Sequence, residues 1–324
     1  MQEVNENGDS VHWADKKEVA VFPWQLRFTA FVACYFPVFL KNIIAMTITA
    51  FYFVFLKKER QISLNFLKRC RGKASLFDSY KHFLSYSLSL LEKFYCWGGK
   101  TLISQIETQN DDVKELGQRL EEGEGCLIIC SHLGNMEYLW SSAAYNKTHI
   151  KRKFEFYPIA DISVTPKRNK AMAKNSQNFF DRVIDANSIG PEIIDFLSEK
   201  LAAGNIAIIA GDRVSANTRN RTIPVQFLGE QAYFPMGAFA LAVALKVPVY
   251  FVFALRDKDI GFSPVCKIHV HKANNITQGS YLERKRQIPN LTEEFVKHLE
   301  SYCLKHPEQW YNFYDFWAMP KEEK

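Results

Sequence analysis

The chain is poor in the features that mark most cofactor, metal and nucleic-acid chemistry. Its seven cysteines (Cys34, Cys70, Cys96, Cys126, Cys130, Cys266 and Cys303) are odd in number, scattered, and without a C-x-x-C pair. That excludes a disulfide frame and points to reduced thiols in a cytosol-facing protein. No Gly-rich phosphate loop, metal-ligand cluster, internal repeat or low-complexity tract is present. Charge of one sign is also scarce: the net charge is +6, with a pI near 8.8. That is too weak for a nucleic-acid partner and suits an anionic membrane surface or an acidic protein. The first 20 residues are polar and no small-residue cleavage site follows the next apolar run, so a cleaved signal peptide is not expected.

Apolar and aromatic side chains are plentiful. They include 26 Phe and 14 Tyr among 324 residues, enough for a sizeable core and for contact with lipid. Residues Phe28 to Leu56 are almost wholly apolar, interrupted by Pro37, Lys41 and Asn42. Each half is too short to span a bilayer, and one tilted helix would carry Lys41 and Asn42 inside it. Two interfacial segments or a helical hairpin in one leaflet are the expectation. A basic cluster follows (Lys57, Lys58, Arg60, Lys68, Arg69, Arg71 and Lys73), which places the rest of the chain on the cytoplasmic face. The expected division is a polar tail over 1–21, a membrane-associated segment over 22–75 and a catalytic domain over 76–324.

Beyond residue 76, helical stripes alternate with short apolar runs. Helices are expected over Tyr80 to Trp97, Asp111 to Glu122, Met136 to Tyr145, Pro191 to Ala203 and Pro235 to Lys246. Strands are expected at Cys126 to Cys130, Ile206 to Ala210, Val247 to Leu255 and Lys267 to His271. This alternation predicts an α/β fold, a mostly parallel sheet flanked by helices. Ligands of such sheets bind beyond the carboxyl ends of the strands.

Two of those ends carry chemistry. After Cys126–Cys130 comes Ser131-His132-Leu133-Gly134-Asn135-Met136-Glu137, with a histidine and a carboxylate five residues apart. A carboxylate near an imidazole fixes its tautomer and favours its charged form, as a general base requires. A capped helix start is the plainer reading of the same spacing. After Ile206–Ala210 comes Gly211-Asp212-Arg213, where Arg213 could meet a phosphate or a developing oxyanion, or simply pair with Asp212. The basic turn Thr165 to Lys170, including Arg168, could grip a lipid or pantetheine phosphate at a helix start, or be a solvated loop. His269 and His271 read as ordinary strand residues. The aromatic end, Trp310 to Trp317, could close the core or form a lipid-facing wall.

Taken in order, these landmarks resemble the lipid A biosynthesis acyltransferases, the late lauroyl/myristoyl-type family with an H-x4-D/E motif. The resemblance rests on the apolar amino-terminal segment, Ser131 to Glu137, Gly211-Asp212-Arg213, Pro224-Val225-Gln226-Phe227-Leu228-Gly229, Val247-Pro248-Val249 and His306-Pro307-Glu308-Gln309-Trp310. It implies a membrane-bound O-acyltransferase of the inner membrane. A fatty acyl group would pass from an acyl carrier protein or coenzyme A thioester, a co-substrate rather than a cofactor, to a hydroxyl of a lipid or lipid-like acceptor. On that resemblance His132 is the general base and Glu137 its orienting partner. Gly134, Asn135, Arg168, Asp212 and Arg213 are candidate substrate contacts. Family members that act on lipid A commonly carry Asp-Gln where this chain has Asp212-Arg213. No Ser or Cys stands in a nucleophile-elbow context, so direct transfer without an acyl-enzyme is expected. A silent lipid-binding protein and a thioester or ester hydrolase are the rival readings.

Overall fold

The computed structural model describes residues 23–145, 150–162, 181–214, 220–274 and 279–318. Arg168 and its basic turn lie outside the described residues. Nine strands are described: β1 (Ile106–Thr108), β2 (Cys126–Gly134), β3 (Phe156–Ala160), β4 (Ile184–Asp185), β5 (Ile206–Ala210), β6 (Thr222–Phe227), β7 (Glu230–Pro235), β8 (Val249–Arg256) and β9 (Cys266–Lys272). Seven of them form one sheet in the order β1-β9-β8-β2-β5-β3-β4. Every pairing in it is parallel except β8 with β9. The other two, β6 and β7, form an antiparallel hairpin. The expected α/β class is the observed one.

The central strands are apolar because both sheet faces are covered. Along β2, Cys126, Ile128 and Cys130 enter one core cluster while Leu127 and Ile129 enter the other, the alternation a pleat imposes. The two cysteines are thus core residues. Each fully buried Leu, Ile or Val here contributes about 1.5–3 kcal/mol relative to exposure.

The amino-terminal layer is helical: α1 (Pro23–Tyr35), α2 (Val38–Phe55), α3 (Lys57–Arg71) and α4 (Leu76–Trp97). Pro37 separates the first two, as proline must where a backbone N–H is needed. Among the described residues α2 is the one helix long and apolar enough to cross a membrane, a candidate anchor. Its buried stripe is Lys41, Ala45 and Thr49, four residues apart, so it is one face of the helix. The polar interruptions point inward. The Lys41 ammonium lies 4.1 Å from the Phe262 ring centre, and Asn42 Oδ1 accepts the Phe262 N–H at 2.7 Å. The opposite face exposes Phe39, Ile43, Phe51 and Phe55. The basic cluster falls on α3 and just beyond it; Arg69 and Arg71 pair with Glu230 and Glu308, while Lys57, Lys58, Lys68 and, past the helix, Lys73 are exposed.

Helix α4 starts on a full capping box between Ser75 and Asp78 and presents Phe83, Leu84, Leu88 and Leu91 to the interior. The remaining helices are α5 (Asp112–Glu121), α6 (Glu137–Ala144), α7 (Pro191–Ala202), α8 (Gly237–Leu245), α9 (Tyr281–Arg286) and α10 (Ile288–Lys305). Pro235 ends β7 rather than opening α8 as the sequence suggested. Behind the sheet's carboxyl edge, Glu92 of α4 and Arg256 of β8 bring opposite charges to 3.1 Å, both side chains wholly buried and without in-line hydrogen-bond geometry between them. The two terminal nitrogens of Arg256 donate instead to the Ser85 and Lys258 carbonyls and the Tyr311 hydroxyl.

Candidate active site

Strands β2 and β5 are neighbours, and their carboxyl ends carry His132 and Asp212. The pairing of β2 with β8 is irregular here: Cys130 faces Val252 and Gly134 faces Ala254, so β2 holds two residues more than β8 over the stretch. Such a bulge re-aims a side chain. The segment ends at Gly134, whose φ is +75° and where a Cβ would stand 2.1 Å from the Ala254 carbonyl oxygen. Only glycine fits, because both the left-handed backbone and the close approach exclude a side chain.

Asp212 holds His132 at two points. Its Oδ1 lies 2.8 Å from His132 Nδ1, and its Oδ2 accepts the His132 backbone N–H at 2.8 Å. Trp310 Nε1 adds a third donor, to Oδ2, at 3.1 Å. Asp212 is completely buried. Burial alone would raise its pKa. The imidazole, the hydrogen bonds from His132 and the Arg213 charge outweigh that and hold it below the usual carboxylate range. The carboxylate is therefore ionised and can only accept, so Nδ1 carries the ring proton and Nε2 the lone pair. Nε2 has no hydrogen-bond partner among the described residues, and 34% of the side chain is exposed. Burial pushes the imidazole pKa below its usual 6.5; Arg213 and Lys93 push the same way, and Asp212 opposes them. A neutral imidazole with one nitrogen anchored and the other open can accept a proton, the capacity a general base needs.

Glu137 is placed differently from the sequence expectation. It opens α6, and its carboxylate turns towards α4, where Trp97 Nε1 donates to Oε2 at 2.6 Å and Lys93 Nζ stands 3.5 Å from Oε1. No hydrogen bond joins it to His132 among the described residues; Asp212 occupies that role. Asn135 ties the turn together from three directions. It is buried, its N–H donates to the Ala254 carbonyl, its Oδ1 accepts the Glu137 N–H and its Nδ2 reaches the Ser89 carbonyl. Arg213 does not pair with Asp212 side chain to side chain; its guanidinium donates to Asn312 Oδ1 and the Tyr311 carbonyl, both at 2.9 Å.

The carboxyl-terminal segment was a missed part of the site. Residue Leu133 bridges to Trp310, and the Tyr311 N–H donates to the His132 carbonyl. The aromatic end closes the core: Trp310 is fully buried against Phe66, Phe227 and Phe316. His82, also fully buried, donates from Nε2 to the Trp310 carbonyl at 2.9 Å, so its Nδ1 accepts from the Ser63 hydroxyl. Burial pushes it down to about 4 and keeps it neutral. Elsewhere His269 and His271 of β9 pack on Tyr302.

Chemically the arrangement can take up a proton at His132 Nε2, and among the described residues no Ser or Cys side chain is hydrogen-bonded to that imidazole. Burial raises the pKa of the neighbouring Cys130, so no thiolate is on offer. The match to a family model narrows this. The model of the bacterial lipid A biosynthesis acyltransferases matches residues 16–318, and the chain belongs to that family. It is an acyltransferase, with an acyl donor and a lipid acceptor as the substrates the family implies. No curated protein matches the chain.

Proposed function

We propose that the protein is a membrane-bound O-acyltransferase in which His132, oriented by Asp212, deprotonates an acceptor hydroxyl. The observation that carries this reading is the anchored Nδ1 with an open Nε2. The hydroxyl oxygen attacks the thioester carbonyl carbon as its proton passes to His132 Nε2. The tetrahedral intermediate collapses, the C–S bond breaks, and the imidazolium returns the proton to the departing thiolate. Asp212 stabilises the transient imidazolium without itself being protonated. Arg213 and Lys93 are the candidate oxyanion partners, since both are cations whose charge is felt at the His132 ring. The Asn135 N–H, an obvious alternative, is committed to Ala254. Glu137 acts at one remove, holding Lys93 at the edge of the site.

The donor is an acyl carrier protein or coenzyme A thioester, and the acceptor is lipid A precursor or a lipid of similar class. The exposed face of α2 anchors the protein in the inner membrane, and the lysines of α3 keep the catalytic domain on the cytoplasmic side. Detergent-purified wild type and His132→Ala, given radiolabelled acyl carrier protein and a lipid extract of the host, test the reading. Label should enter one lipid band with wild type and not with the variant. Label released only as free fatty acid would make the protein a hydrolase; full transfer by His132→Ala would remove the histidine from the mechanism.

A further inference from the structure

Asp212 is held not only by His132 but by a residue nearly a hundred positions later. Trp310 is fully buried, and its indole N–H donates to Asp212 Oδ2, the same oxygen that accepts the His132 backbone N–H. Trp310 is itself held twice. Its carbonyl accepts from His82 Nε2, and a β-bridge ties it to Leu133, next to the catalytic histidine. The next two residues clamp Arg213 through the Tyr311 carbonyl and Asn312 Oδ1. One short segment therefore sets both charged groups at the end of β5.

We infer that Trp310 is a positioning residue for acyl transfer, acting through Asp212. An indole N–H is a donor only, and its bond is strongest to the ionised carboxylate, which can only accept. It thereby fixes which oxygen faces Nδ1 and keeps Asp212 from turning out of the imidazole plane. A phenylalanine in its place keeps most of the aromatic packing on Phe227 and Phe316 but leaves Oδ2 with the His132 backbone alone. The carboxylate then has two ways to turn, and the productive one is less populated. The inference rests on His132 being the base.

The experiment is a double-mutant cycle on kcat with Trp310→Phe and Asp212→Asn, with His132→Ala alongside. Trp310→Phe should lower kcat about ten-fold with KM within about two-fold, the signature of an interaction made in the transition state alone. In the Asp212→Asn background the same change should cost less than about two-fold, because the negative charge whose aim at Nδ1 Trp310 sets is already gone. Equal losses in both backgrounds, or no loss in either, would overturn the positioning role while leaving His132→Ala inactive. Activity retained by His132→Ala would instead overturn the reading beneath it. Should Trp310→Phe fail to fold, the link is read in the folded proteins by indole-15N spectra. The Trp310 Nε1–H resonance should lie downfield in wild type and move upfield in Asp212→Asn; an unmoved resonance would refute the contact.

Discussion

The end of β5 and the start of α6 each bring a carboxylate to the same corner of the sheet's carboxyl edge, and among the described contacts only one of them reaches the histidine. Asp212 is 80 residues from His132 along the chain and touches it twice. Glu137 is five residues away and is held by Trp97 and Lys93 on α4 instead. The difference follows from geometry. β2 and β5 are paired strands whose carboxyl ends must lie side by side. Glu137 enters a helix after the sharp turn at Gly134, and its side chain is carried over to the α4 wall. Closeness in sequence placed Glu137 in the site; closeness in the sheet placed Asp212 on the ring.

Three experiments sharpen or break that comparison. The largest effect is expected for Asp212→Asn, which keeps the shape but removes the charge and allows the wrong tautomer. The kcat should fall on the order of 10³–10⁴-fold, as for the equivalent change in serine-protease triads. A loss under ten-fold would return the orienting role to Glu137. Glu137→Gln should be milder, about ten-fold on kcat, since it loosens Lys93 and leaves the imidazole anchored. An effect as large as that of Asp212→Asn would make the two carboxylates equal partners. The smallest expected change is in the pH profile. His132 is pushed down to about 4, so kcat/KM should stay level as pH falls from neutrality through 6.5 and drop only as pH nears the lowered value, where the imidazole takes a proton. Removing the negative charge in Asp212→Asn lowers the imidazole pKa further, so the residual activity should fall at a still lower pH. An acid limb above 6.5 in wild type, or one moving upward in the variant, would contradict the electrostatics of the site.

Much of the fold was legible in the sequence. The apolar runs at Ile206–Ala210 and Val247–Leu255 are the strands β5 and β8, shifted by at most two residues, because apolar strands covered on both faces leave an unbroken hydrophobic run. The helix at Pro191 began where its proline said it would. Other elements carry signals that mislead. Pro158 sits inside β3, a strand paired on both sides, where proline is rarely found. The β6–β7 turn places Leu228 at φ +53° before Gly229 at +82°, a left-handed pair without the asparagine or aspartate that usually announces it. Lys41 and Asn42 looked like costly interruptions of a membrane segment, and the helical period turns both towards the protein.

The site was half legible. His132 stood at a strand end, and strand ends are where α/β sheets place their chemistry. The role of Trp310 was not readable, since nothing in an aromatic run says which ring will face a buried carboxylate. The sequence by itself determined the family, the α/β class, the apolar amino-terminal run and the histidine at the end of β2, but it divided that run at Lys41-Asn42, where the structure has the single helix Val38–Phe55. Periodicity and composition carry that information residue by residue. Only the tertiary structure decided that Asp212 orients His132, that Glu137 holds Lys93 and that Trp310 braces Asp212. Those pairings depend on which strands lie side by side, and sheet order is set by the packing of the whole chain rather than by any local pattern.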